Sequence, residues 1–134
     1  MKKIYLDTNI YIYLFQENKK YYSTIETLIE KIRLDGSIVC STALLYELLS
    51  WKIPKSQVDI LERELMSLDV LSLIDVNREI SKIGARLTRT YNLSMGDAIQ
   101  MATAIYTNCD TFITNDKNIR KIKEIKVLYL EDLI

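Results

Sequence analysis

Ile4-Tyr5-Leu6-Asp7-Thr8-Asn9 is a short apolar run that stops on an acid. Successive β-prone residues are the pattern of a strand buried on both faces, the habit of parallel sheets. The acid and the two small polar residues beyond it mark the strand's carboxyl end, where open α/β sheets bind ligands. The same arrangement returns late in the chain, where Phe112-Ile113-Thr114-Asn115-Asp116 closes another apolar run on another acid. If the two strands are neighbours, Asp7 and Asp116 face one another across a single crevice.

Between them, apolar runs alternate with helical periodicity, the pattern of an α/β fold. Ile10, Ile12, Leu14 and Phe15 lead into a first helix. Ser23 with Glu26 three residues on reads as a capping box. It opens a helix whose Ile25, Leu28, Ile29 and Ile32 share one stripe. Ser37 to Cys40 reads as a strand, and Ser41 or Thr42 caps a helix running through Glu47 to about Trp51. Pro54 stops that helix, and Lys55 to about Ser67 forms another. Val70 to Val76 is extended, and Asn77 caps a long helix carrying Ile80, Ile83, Gly84, Leu87 and Tyr91. A helix beginning around Met95-Gly96-Asp97 carries Ala98, Ala102 and Ala104, small enough for close packing on a sheet. Lys126 to Tyr129 is a final edge strand. The 134 residues read as one domain, 1–134.

The chain contains no histidine. Proton chemistry near neutral pH then falls to carboxylates, lysine, thiol or water on a metal. Asp7, Glu47, Asp97 and Asp116 all sit at the mouths of expected strands and helices. Gathered together they repel, and hard divalent cations are the usual remedy. Each acid also has a plainer reading: Asp7 and Asp97 as helix caps, Asp116 as a turn residue. Glu47 is harder to explain away, because its helix is otherwise full of Leu, Tyr and Trp.

Lys plus Arg and Asp plus Glu balance at 18 each, so no global field points to nucleic acid. Four acids in one pocket would nevertheless leave a basic excess elsewhere. Cys40 and Cys109 lie far apart in apolar settings and read as buried, inert thiols in a reducing compartment. No apolar stretch approaches the ~20 residues of a membrane helix, which suits a cytoplasmic protein.

In combination, these residues resemble those of a PIN-domain ribonuclease, and most closely a VapC-type toxin of a toxin–antitoxin pair. The resemblance rests on Asp7-Thr8-Asn9, on Glu47 after the second strand, on Asp97-Ala98-Ile99 with Ala102-Thr103-Ala104, and on Thr114-Asn115-Asp116-Lys117. It implies a three-layer α/β/α sandwich around a parallel sheet of four or five strands. It further implies Mg2+ or Mn2+, one or two ions, endonucleolytic cleavage of RNA, a homodimer and a small antitoxin. Met95-Gly96 departs from the pattern, offering neither a basic nor a polar neighbour to Asp97.

On this reading Asp7 and Asp97 anchor the principal ion, and Asp116 joins directly or through water. Glu47 orients the attacking water, Asn9 steadies a carboxylate, and Thr8 or Thr114 donates to a phosphate oxygen. Lys117, Arg120, Lys121 and Lys123 follow the last acid and are candidates for substrate grip, with Lys52 and Lys55 as a second group. Tyr11, Tyr13, Tyr21 and Tyr22 read as core or interface. Three alternatives stay open: an RNA-processing nuclease of the same fold without an antitoxin, a receiver-like phosphorylated switch, and a catalytically inactive binding module. The switch needs an acidic pair where Leu6-Asp7-Thr8 stands and an acceptor Asp after the third strand.

Overall fold

The computed structural model describes residues 2–119 and 122–134. Five strands, β1 (Lys2–Leu6), β2 (Gly36–Ser41), β3 (Leu71–Ile74), β4 (Thr111–Thr114) and β5 (Lys126–Tyr129), form one parallel sheet in the order β3-β2-β1-β4-β5. The helices are α1 (Thr8–Phe15), α2 (Tyr22–Asp35), α3 (Thr42–Leu49), α4 (Lys55–Met66), α5 (Arg78–Tyr91) and α6 (Met95–Tyr106). A 3-10 turn, Leu130–Leu133, follows β5. This is the expected α/β/α sandwich with five strands.

The first two crossovers step from β1 outward to β3, and the third returns past β1 to β4. Right-handed crossovers therefore set the α5–α6 pair on the opposite face from the earlier helices. The strand order reverses beside β1, which puts the ligand crevice at the carboxyl ends of β1 and β4. Tyr5 pairs in register with Val39 on one side and Phe112 on the other, and its ring stacks on Phe112 at 5.1 Å. Tyr5, Leu6, Ile38, Cys40 and Phe112 are all fully buried, as a sheet covered on both faces requires.

Several expectations need correction. Ser23 does not cap α2; the helix begins at Tyr22, and the Asn18 side chain instead accepts from the Lys20 and Tyr21 N–H groups ahead of it. Helix α3 stops at Leu49, short of Trp51. The small residues of α6 mainly admit another helix. A Cβ on Gly84 of α5 would lie 3.0 Å from Ile99 Cδ1 and 3.7 Å from the Ala102 Cβ, so the close approach is between α5 and α6.

Tyr11 is fully buried, its hydroxyl without a partner among the described residues, and Tyr13 packs on Tyr21 at 4.7 Å. The exposed apolar side chains lie off α1: Leu34, Tyr46 and Met95 are 86%, 74% and 81% exposed. Burial pushes the Cys40 thiol up to about 12, in keeping with an inert side chain. Among the described residues no helix is long and apolar enough to cross a membrane.

Gly36 joins α2 to β2 opposite Lys2. A Cβ there would stand 2.5 Å from the Lys2 carbonyl oxygen, a backbone atom held in the β1–β2 ladder. Gly36→Ala is expected to destabilise the fold by ~1–3 kcal/mol, the usual range for overpacking. Urea denaturation measures this, and an unchanged midpoint would contradict the close approach.

Candidate active site

Asp7 stands one residue past β1 and is 5% exposed. One oxygen accepts from the Thr8 N–H at 2.7 Å, so the carboxylate does cap α1. The other accepts from the Thr114 hydroxyl at 2.7 Å and, more weakly, from the Asn9 amide at 3.4 Å. The capping reading of this residue thus holds, and the same carboxylate also ties to the end of β4. Thr114 Oγ1 in turn accepts from the Asp116 N–H at 3.0 Å, and Asn9 Oδ1 accepts from the Asn115 N–H at 3.2 Å. The carboxyl ends of β1 and β4 are laced together around Asp7.

Burial is the main force pushing the Asp7 carboxyl up, to about 6, against the opposing bonds from Thr114 and Thr8. The charges of Asp97 and Glu47 push it further in the same direction. At neutral pH the ionised form carries a penalty of about 3 kcal/mol at most.

Ser94 caps α6 by accepting from the Asp97 N–H at 3.3 Å, so Asp97 is not the cap. It lies half-buried in the first turn, where the helix dipole favours negative charge. Desolvation raises its carboxyl, the Ser94 bond lowers it, and the charge of Asp116 raises it again. Asp116 does make a turn, accepting from the Asn118 N–H at 2.9 Å. Electrostatically the four acids form one chain: Glu47 and Asp97 act on Asp7, and Asp116 acts on Asp97.

Glu47 reaches in from α3. Its Oε2 accepts from the Thr8 hydroxyl at 2.8 Å and from the Gln100 amide at 3.0 Å. Its Oε1 lies against Gly96: a Cβ at that position would be 2.5 Å away. The departure noted at Met95-Gly96 has a steric reason, since any side chain at 96 would displace Glu47.

Gln100 was not anticipated from the sequence. It is 1% exposed, donates to both Thr8 Oγ1 and Glu47 Oε2 at 3.0 Å, and leaves its own Oε1 buried without a partner among the described residues. Such an orphan acceptor costs about 1–3 kcal/mol. One signal was present: an amide three residues after Asp97, on the same side of a helix otherwise built from small and apolar residues.

The donor set consists of carboxylate, hydroxyl and amide oxygens, which fits a hard cation such as Mg2+ or Mn2+. Among the described residues, no three His, Cys, Asp or Glu side chains are grouped to hold one ion. A ready-made set of three direct carboxylate ligands is therefore not formed. One or two carboxylates, with the remaining contacts through water, match both this arrangement and the habits of magnesium.

The candidate basic track is only partly visible. Lys117 is exposed with its ammonium 4.9 Å above the Tyr129 ring. Arg120 and Lys121 lie outside the described residues. Lys55 is paired with Asp59 on α4 at 3.1 Å. The receiver-like alternative fails on topology, because β3 is an edge strand and Asp75, the acid after it, is exposed and two strands from β1.

A parallel sheet whose reversal point is lined by Asp7, Asp97 and Asp116, with Glu47 entering from the side, defines a class of acid-lined α/β domains. The chain belongs to the PIN domain family, whose model matches residues 4–125. No curated protein matches it in sequence. Among solved structures, its fold is similar to that of VapBC2 from Rickettsia felis bound to a promoter DNA fragment (TM-score 0.72, 23% identity, covering 95% of this chain and 98% of that one). DNA-bound VapBC from Salmonella typhimurium is similar too (0.72, 20% identity, 97% and 99%). So is Mycobacterium tuberculosis VapC20, a sarcin–ricin loop cleaving toxin (0.62, 14% identity, 81% and 86%).

A raised Asp7 carboxyl has a defined signature without divalent ions. Its protonated form stabilises the fold fully below the unfolded value near 4, and that contribution is lost as pH rises through about 6. Asp7→Asn removes the titration. Its stability relative to the parent should therefore be greater at pH 7.5 than at pH 4, as urea denaturation in chelator would show. An equal difference at both pH values would mean that Asp7 titrates normally.

Proposed function

We propose that this protein is a divalent-metal-dependent endoribonuclease and the toxin of a toxin–antitoxin pair. The observation that carries the reading is the buried Asp7 carboxylate at the ends of β1 and β4, bonded to Thr114, with Glu47 joined to the neighbouring Thr8 and the charges of Glu47 and Asp97 acting on it. Membership of the PIN domain family supports it. RNA as the substrate class is supported by the fold relative that cleaves the sarcin–ricin loop.

Asp7 and Asp97 would hold the principal ion, with Asp116 completing its surroundings through water. When bound, Mg2+ or Mn2+ supplies positive charge at the scissile phosphate and makes water acidic enough to attack it near neutral pH. Thr114, Asn9 and the Thr8 N–H hold the Asp7 carboxylate in one orientation. Glu47 offers its outer oxygen to orient the attacking water, while its inner oxygen is tied to Thr8 and Gln100. Lys117 is the described residue best placed to meet a neighbouring phosphate, and Arg120 and Lys121 would extend that track. The 2′-hydroxyl route wants a matched acid–base pair, and the chain has no histidine to form one. Water attack leaves a 5′ phosphate and a 3′ hydroxyl.

Asp97→Asn and Asp7→Ala should each lower RNA cleavage at least about a hundredfold, as loss of a positioned reacting group commonly does. Chelator should abolish cleavage and Mg2+ or Mn2+ should restore it. End-mapping of the fragments should find 5′ phosphates; a 2′,3′-cyclic phosphate would exclude water as the attacking group.

A small antitoxin partner is supported by the VapBC complexes among the fold relatives. The exposed Leu34, Tyr46 and Met95 offer apolar surface to an antitoxin or to a second copy of the chain. Such a protein would act in the cytoplasm, where its RNA is. Expression should arrest growth, and co-expression of the small protein encoded beside it should relieve the arrest. Growth unaffected by an active nuclease would favour an RNA-processing enzyme instead.

A further inference from the structure

We infer that Gln100 is a positioning residue: its side-chain amide locks Glu47 and Thr8 into the arrangement that leaves one Glu47 oxygen free for the reaction. The inference rests on the nuclease reading, which gives Glu47 its task.

Position 100 lies in a core face. Ala98, Met101, Ala102 and Ala104 around it on α6 are buried, and residue 100 is itself 1% exposed. Packing alone calls for an apolar side chain there. The glutamine instead brings an NH2 group within 3.0 Å of Thr8 Oγ1 and of Glu47 Oε2. Those two acceptors are 2.8 Å apart, so the NH2 group faces both of them together.

Thr8 has a single hydroxyl proton, and it goes to Glu47 Oε2 at 2.8 Å, so Thr8 oxygen must accept from Gln100. Reversing the amide would set a carbonyl oxygen against a carboxylate oxygen, two acceptors with no proton between them. The orientation is therefore dictated by chemistry. The buried Gln100 Oε1 is left without a partner among the described residues as a consequence.

Two donors converge on Glu47 Oε2, while among the described residues Oε1 receives none and rests beside Gly96. The result is a carboxylate with one oxygen fixed and the other without a donor among the described residues. An apolar residue at 100 would fill the same space and remove an unsatisfied acceptor, yet release Glu47.

Gln100→Met keeps the length and loses the donors. It should lower kcat about tenfold or more, as loss of alignment does, with KM within about twofold and thermal stability no lower than the parent's. In a Glu47→Gln background the same change should cost less than about twofold, because coupled residues do not add. An unchanged kcat, or an equal loss in both backgrounds, would overturn the inference.

A second measurement needs no activity. The Gln100 side-chain amide protons, followed by NMR, should exchange with solvent faster in Glu47→Ala than in the parent; equal rates would also overturn it. If the parent cleaves no RNA, the nuclease reading fails, and the amide measurement still decides whether Gln100 holds Glu47. It likewise decides the matter should Gln100→Met not fold.

Discussion

A carboxylate held in the protein interior, at the end of the central strand, is the constraint around which the site is arranged. Asp7 is nearly inaccessible to water and ionises only near pH 6. Its oxygens are satisfied by the Thr8 backbone, the Thr114 hydroxyl and the Asn9 amide. Two of these come from the segment after β1 and one from the end of β4. That arrangement exists only because β1 and β4 are hydrogen-bonded neighbours. The reversal of strand order is thus the geometric condition for the hydrogen bonding that makes burial of the acid tolerable.

Among the described residues, the acids at the ends of β1 and β4 are met by neutral donors rather than by basic side chains. Among the described residues none of the ion pairs involves Asp7, Glu47, Asp97 or Asp116; they join surface groups such as Lys55 with Asp59 and Arg86 with Glu124. Hydrogen-bond donors orient a carboxylate but leave its full charge in place. The electrostatic deficit that remains is what a divalent ion would relieve.

The architecture was largely legible because each strand is a compact apolar run closed by a polar residue, and each helix shows its stripe. Boundaries failed where local chemistry was ambiguous. Ser23 and Glu26 have the spacing of a capping box, yet Asn18 had already turned the chain upstream. The alanines of α6 indicated a close approach without saying to what, because a helix and a sheet make the same demand for small residues. Four acids could be picked out by their positions at element mouths, but the second layer could not. Gln100 looks like any polar helix residue until the fold buries it, and Gly96 looks like a helix breaker until Glu47 is seen against it. Residues whose role is to touch another side chain, rather than to carry charge, have no one-dimensional signature.

The Thr114 hydroxyl that steadies Asp7 comes 107 positions later in the chain. A ribosome delivers the N-terminal part of a protein first. A nascent chain that ends before residue 111 can expose Asp7, Glu47 and Asp97 and still lacks β4 and Asp116. The bond from Thr114 to Asp7 therefore forms only after β4 has been made, and a product cut short before β4 lacks it.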